Sequence, residues 1–388
     1  MTEATFWGIA MALILGDGDA NTYGGTSTRD QIYGFGGNDT LTNAAGVDKI
    51  YGGDNDDTIV LNVAYSYGYG DAGSDVMSGA VSTYSYGGDN ADMLSGGGNL
   101  YGGNGDDVLQ AADHSGNTYG DAGNDSLIGD SNYASGGDGD DTISGGNYNF
   151  GDAGNDLILL DTIGRGFGGA GDDTTVGSSR GDYMLEDSGA NLMQGLAGTD
   201  TIYGGSEVDS IYGGDGNDRL LFGNNGDDLI YGDAGNDKAT GGYGNDMMYG
   251  GTGKDRLVGS SGDDFLFGGA ESDILTGGAG NDVLDGGAGQ DQYTGGVGKD
   301  VYLFAALSDM GLLSTSDAIL QFVAGDDKID LSDIGGLSFV TGLFSNTAGE
   351  VRFDQTSNQV QIDSDGNGVA DATIQMFVTS MVATDFIL

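Results

Sequence analysis

Aspartate recurs along this sequence in one short setting, G-G-x-G-x-D-x-U-x, where U is large and apolar. Good copies are Gly102-Gly103-Asn104-Gly105-Asp106-Asp107-Val108-Leu109 and Gly277-Gly278-Ala279-Gly280-Asn281-Asp282-Val283-Leu284. The sixth place falls at Asp39, Asp48, Asp57, Asp75, Asp92, Asp107, Asp125, Asp141, Asp156, Asp173 and Asp182. It continues at Asp200, Asp209, Asp218, Asp228, Asp237, Asp246, Asp255, Asp264, Asp273, Asp282, Asp291 and Asp300. Glycine allows positive φ, so carbonyl oxygens of such a loop can turn toward one point. The aspartate adds a carboxylate. An all-oxygen ligand set of this kind suits calcium, which takes six to eight oxygens from carboxylates and carbonyls.

The spacing says what must carry these loops. From Asp57 to Asp173 the steps run 15 to 18 residues, and from Asp200 to Asp300 they are 9, once 10. A coil of two short strands explains both, with loops mainly on one edge over 31–190 and on both edges over 191–302. After each aspartate a strand puts its middle side chain inward, as at Leu41, Ile59, Leu94, Leu109, Ile143, Ile158, Ile211, Leu257 and Leu284. About two large apolar side chains per coil are too few to order this backbone alone. The chain holds 80 glycines in 388 residues, and 61 acids against 11 bases give a net charge of -50. Such a chain is either disordered or held by cations.

These residues resemble the RTX (hemolysin-type calcium-binding) nonapeptide repeat, in about 23 copies over about 265 residues, and many copies in register make the resemblance specific where one would not. It implies an all-β, right-handed parallel β-roll loaded with calcium, each ion between loops one coil apart. The ligands it implies are the aspartates above and carbonyls of their loops, such as Gly102, Gly105, Gly213, Gly216, Gly241, Gly244, Gly277, Gly280, Gly286 and Gly289. One ion per same-edge pair makes about 19. Weak copies lower that count. Asn90-Ala91 and Arg180-Gly181 replace the fourth-place glycine and its neighbour, and Glu207 and Glu271 replace the glycine itself.

Residues 1–30 read as an N-terminal cap. Their apolar run Phe6 to Leu15 is too short to span a bilayer, and Glu3 is wrong for a secretory n-region. Residues 303–388 form a C-terminal cap and secretion region. Gly325-Asp326-Asp327-Lys328-Ile329-Asp330-Leu331-Ser332 resembles the stretch after the repeats of serralysin-type secreted proteins. The ending Asp385-Phe386-Ile387-Leu388 resembles type I secretion substrates, which implies a partner in that apparatus and an extracellular or surface location in a Gram-negative-type bacterium. Val351–Asp354 and Gln359–Asp363 read as a hairpin. Asp363-Ser364-Asp365-Gly366-Asn367-Gly368 opens like an EF-hand loop, but Ile374 stands where the closing Glu belongs. It is either a calcium site closed by Asp371 or a tight acidic turn.

The residue before each loop faces outward. Tyr33, Tyr51, Tyr69, Tyr86, Tyr101, Tyr119, Ser135, Phe150 and Phe167 should therefore stack one coil apart. The column is either strand propensity with neighbour stacking or a contact stripe for a saccharide, a surface or another copy.

Enzymatic motifs are poor. His114 is the lone histidine, so no H-E-x-x-H exists, and Gly177-Ser178-Ser179-Arg180-Gly181 matches G-x-S-x-G with no histidine after it. Carboxylates holding calcium are poor general acids. Eleven scattered bases exclude a nucleic-acid footprint, and the absent cysteines exclude disulfides. The expectation is a secreted, non-enzymatic calcium-binding β-roll with a structural, surface-layer, matrix or adhesive role, or alternatively a carbohydrate- or surface-binding module resembling alginate-modifying or ice-facing repeats.

Overall fold

The architecture comes from a computed structural model that describes residues 2–6, 9–112, 114, 116–161, 164–311 and 315–388, with side chains from residue 11 onward. The chain divides into two compact units, Met1–Ser188 and Gly189–Leu388. Each is an all-β parallel solenoid of the β-roll kind.

In the first unit one sheet runs from Arg29–Gly36 through Tyr84–Asp89 to Tyr183–Leu185, and the other from Thr22–Gly24 through Met93–Gly96 to Thr174–Val176. Neighbouring strands are parallel and in register, so Tyr84 and Tyr86 pair with Tyr67 and Tyr69. Alternation follows from the pleat. The strand Tyr84–Asp89 buries Ser85 and Gly87 and turns Tyr84 and Tyr86 outward. At its start Thr2–Phe6 lies antiparallel on Ile9–Leu15, which covers that sheet edge.

The coil lengths vary for one reason. Every first-edge loop keeps six residues, while turns on the other edge do not. Only Gly97 and Gly98 link Met93–Gly96 to Asn99–Asn104, whereas residues 62–66 link Thr58–Leu61 to Tyr67–Ala72.

The inward places Leu41, Ile59, Leu94, Leu109, Ile143 and Ile158 are fully buried. The facing positions in the first unit are mixed, with Ile32, Ile50, Leu100 and Met184 buried alongside the small or polar Ser85, Thr118 and Asn149. The second unit buries large side chains on both sides, Ile202, Leu221, Leu257 and Leu275 opposite Ile211, Ile230, Met248, Leu266 and Leu284. Its last coils are extended by the C-terminal region. Asp317–Gln321 adds to Gln292–Val297, and Lys328–Asp330 adds to Val301–Leu303. The expected hairpin is present as Glu350–Asp354 against Gln359–Asp363. Phe386–Ile387 pairs with Lys328–Asp330, with Asp385 and Phe386 buried.

Candidate metal centre

The repeated aspartates form ladders. In the first unit the Asp39 N–H donates to Asp57 Oδ1, Asp57 to Asp75, and so on to Asp173, at 2.7–2.8 Å. The second unit has two ladders. One runs Asp200, Asp218, Asp237, Asp255, Asp273, Asp291, and the other Asp209, Asp228, Asp246, Asp264, Asp282, Asp300, at 2.7–3.1 Å. Asp48 stands on the other edge of the first unit, where it accepts from Asp30.

Each ladder uses Oδ1. Among the described residues, the buried Oδ2 of Asp39, Asp57, Asp75, Asp92, Asp107, Asp125, Asp141 and Asp156 has no hydrogen-bond partner, and neither has that of Asp209, Asp218, Asp228, Asp237, Asp246, Asp255, Asp264, Asp273, Asp282, Asp291 or Asp300. A methyl group added at Gly102 would lie under 3.0 Å from both Asp107 Oδ2 and the Gly120 carbonyl of the next coil. Gly213 faces Asp218 Oδ2 and the Gly232 carbonyl in the same way. Gly241 and Gly277 likewise face the Oδ2 of Asp246 and Asp282, whereas at Gly286 the Tyr293 hydroxyl stands nearer than Asp291 Oδ2 and takes the expected ligand place. The first glycine thus keeps a cradle where a carboxylate oxygen and a carbonyl oxygen converge. Rows of buried, unpaired carboxylate oxygens are costly unless a positive charge meets them. The donor set is all oxygen, so the residues fit calcium.

The second and fourth loop places need positive φ. Gly105, Gly216, Gly244 and Gly280 have it at +122, +148, +127 and +141°. Asp71, Asn90, Glu207 and Glu271 adopt it without being glycine, Glu271 at +79°. Replacing Glu271 by glycine is expected to stabilise the calcium-loaded protein by about 1 kcal/mol, since a non-glycine residue there is strained. The urea midpoint checks this, and an unchanged or lower midpoint refutes it.

Burial foremost, with nearby carboxylates adding to it, pushes the ladder carboxyls up: Asp75 and Asp125 to about 6, Asp57, Asp92, Asp107 and Asp264 to about 7, and Asp273 to about 8.

Three features of the site lay outside the sequence reading. The ladders run one step further, since the Asp291 N–H donates to Asp317 Oδ1 and that of Asp300 to Asp327 Oδ1. Those steps span 26 and 27 residues, so no 18-residue register finds them. There the hydroxyls of the buried Tyr293 and Tyr302 accept from the Gly286 and Gly295 N–H groups, filling the last cradles. Second, the fifth loop place forms an outer ladder of opposite sense, in which Asn124, Asp140 and Asn155 N–H groups donate to Asp106, Asn124 and Asp140. Asp and Asn alternate along it, which keeps like charges from facing each other one coil apart. Third, Glu186 stands 18 residues after Gly168, in a first-glycine place, and its carboxylate lies beside Gly168 with that of Asp173. That signal was legible.

Tyr33, Tyr51, Tyr69, Tyr86, Tyr101 and Tyr119 stack with ring centroids 4.6–4.9 Å apart. At Ser135 the column does not break. Tyr133, two residues earlier, leans between Tyr119 and Phe150, and Phe150 stacks on Phe167. Asp363, Asp365 and Asp371 bring carboxylate oxygens within 4.8 Å of one another. The loop's own donors engage them: Gly366 and Gly368 N–H groups bond Asp363, and Ser364 bonds Asp371.

The geometry defines a parallel β-roll with cation-ready loops on its edges. The family described as the RTX calcium-binding nonapeptide repeat (4 copies) matches residues 15–49, 44–62, 187–220, 222–257, 240–275, 249–282 and 267–302. The chain carries RTX repeats and is a calcium-binding β-roll repeat protein. Residues 63–186 lie outside these matches yet keep the same Asp ladder. No curated protein sequence matches the chain. Among similar solved structures is the AlgE6R3 subunit of the Azotobacter vinelandii mannuronan C5-epimerase, 25% identical at TM-score 0.26, covering 42% of this chain and 80% of that one. Another is a hyperactive, Ca2+-dependent, β-helical antifreeze protein from an Antarctic bacterium, 16% identical at TM-score 0.40, covering 77% and 85%. No described helix is long and apolar enough to cross a membrane.

Proposed function

We propose that this is a secreted, non-enzymatic protein that folds on external calcium and serves a structural, surface-layer, matrix or adhesive role. The observation that carries it is the row of buried Oδ2 atoms beside glycine carbonyls. The ladder aspartates and first-glycine carbonyls are the proposed ligands, for about 19 ions at one per same-edge pair. Without a cation these carboxylates oppose one another and folding; with it they join successive coils.

Export in the unfolded state by a type I apparatus fits the C-terminus. Asp385 accepts from the Gly325 and Val382 N–H groups and is fully buried, so folding hides the acidic part of the ending while Ile387 and Leu388 stay exposed. The hydroxyl of Ser178 donates to Asp182 and no histidine other than His114 exists, which favours a non-enzymatic role.

Calcium titration followed by circular dichroism tests the folding reading. Many linked sites should give a steep gain of sheet signal. Full sheet signal in chelator at pH 8 overturns it. Deleting residues 371–388 should trap the chain inside a host carrying a type I exporter, and undiminished export refutes that route.

A further inference from the structure

The outward face of the first unit's aromatic sheet has a second column, beside the tyrosine stack and toward the tight-turn edge. In strand register it includes Lys49, Tyr67, Tyr84 and Asn99. It continues Asn117, Tyr133, Tyr148, Arg165, with the Asn117 N–H donating to Asn99 Oδ1. Gln31 precedes Lys49 and Tyr183 follows Arg165, so the two bases bracket a run of tyrosines and asparagines, from which the Tyr133 ring leans into the tyrosine stack.

Charge is sorted onto this face. Residues 1–188 hold 30 acids and four bases. Three of the bases, Arg29, Lys49 and Arg165, stand on the outward side of this one sheet. No acid stands in either outward column. The rim acids Asp71, Asp121 and Asp152 lie across the tyrosine stack, toward the calcium loops. Of the bordering turns, 62–66, 80–83, 97–98 and 146–147 contain no acid, while Asp48 lies next to Lys49, and Asp130 and Asp161 stand in the turns before Tyr133 and Arg165.

The rings decide what this face offers. The tyrosines of the first column cover one another's faces at interplanar angles of 5–8°. What remains is ring edges, which carry the positive end of the quadrupole, and hydroxyl groups. Lys49 Nζ sits 5.5 Å from the Tyr67 ring and the Arg165 guanidinium 4.9 Å from that of Tyr148. Arg165 also donates to the Tyr148 hydroxyl. Beside Arg165 a 390 Å³ hollow opens between Tyr148 and Tyr183. Its one acid, Asp182, is already bonded by Gly164 and Ser178.

We propose that this stripe docks a linear polysaccharide bearing carboxylate groups. Its acid groups meet Arg165 and Lys49, about 34 Å apart over seven strand steps, and its hydroxyls meet the phenol and amide row. A second copy fits worse. A two-fold pairing about the central asparagines would set Lys49 against Arg165 of the other copy, with no acid in either column to receive them. The inference deepens the adhesive role proposed above by naming a partner.

The test uses the full chain in calcium, with oligogalacturonate as probe and a neutral cello-oligosaccharide and single-stranded DNA of matched length as comparisons. Oligogalacturonate should bind at least about tenfold more tightly than either, and K49Q/R165Q should cost about tenfold, the equivalent of about 1.4 kcal/mol. Circular dichroism on the same samples reports the fold. Equal binding by the double variant overturns the proposal, because calcium bridging through loop carboxylates then suffices. Equal binding of the neutral sugar overturns the anionic assignment, and equal binding of DNA overturns the saccharide. Sheet signal that survives calcium removal counts against calcium-dependent folding alone and leaves the binding comparison standing.

Discussion

In calcium-free buffer the protein is expected to gain β-sheet as the pH falls from about 8 to about 5. Burial above all holds the ladder carboxyls high, Asp75 at about 6, Asp141 and Asp246 at about 7, and Asp273 at about 8. In the unfolded chain they titrate near their ordinary 3.8. Between those values the folded state binds more protons than the unfolded one, so stability falls as pH rises. Proton-linked stability is therefore fully present below about 3.8 and is lost as pH climbs through about 6 to 8. At pH 8 without calcium the ladders are mutually repelling carboxylates in buried places, and the roll should be unfolded. At pH 5 protons occupy the same oxygens that calcium would. The mirror effect is weaker calcium affinity at low pH, because protons and calcium compete. A pH titration of the far-ultraviolet signal after exhaustive dialysis checks this. A signal that stays flat or decreases on acidification would sink it.

Gly102→Ala should be the most damaging small substitution. The added methyl would lie under 3.0 Å from both Asp107 Oδ2 and the Gly120 carbonyl, where both oxygens face the proposed ion. It overpacks the loop and crowds out the ligand together. The expected cost is about 3 kcal/mol in saturating calcium, which lowers Tm by about 6–12 °C for a unit of this size. Gly18→Ala is the control, because a methyl at Gly18 meets nothing within 4 Å. Equal Tm values for the two variants would remove the cradle from the account.

The ladder aspartates were legible because a repeat fold converts one dimension into another. A residue 18 places on in sequence is the neighbour one coil on, so spacing alone aligned Asp57 with Asp75 and Leu41 with Ile59. The same logic fails where a coil changes length without changing shape. The steps of 15 to 18 in the first unit arise on the tight-turn edge, where a turn of two glycines does the work of a five-residue one. Asp317 and Asp327 complete the ladders across insertions of 8 and 9 residues, and only the folded chain brings them there. Ser135 looked like a gap in the aromatic column. Tyr133 fills it, because a large ring reaches past a small neighbour to cover exposed ring faces.

By itself, then, the sequence determined the coil, the inward apolar places, the loop aspartates and the ion class they suit, because glycine permissiveness, strand alternation and carboxylate chemistry are local properties. The tertiary structure decided the rest. It shows one carboxylate oxygen spent on joining coils and the other left beside a carbonyl. It shows tyrosine hydroxyls closing the last cradles, a C-terminus pairing with a sheet, and three of the first unit's four bases on the outward side of one sheet. Each depends on which strands become neighbours and on how side chains of different lengths meet across them, and neither is written in the spacing of any single motif.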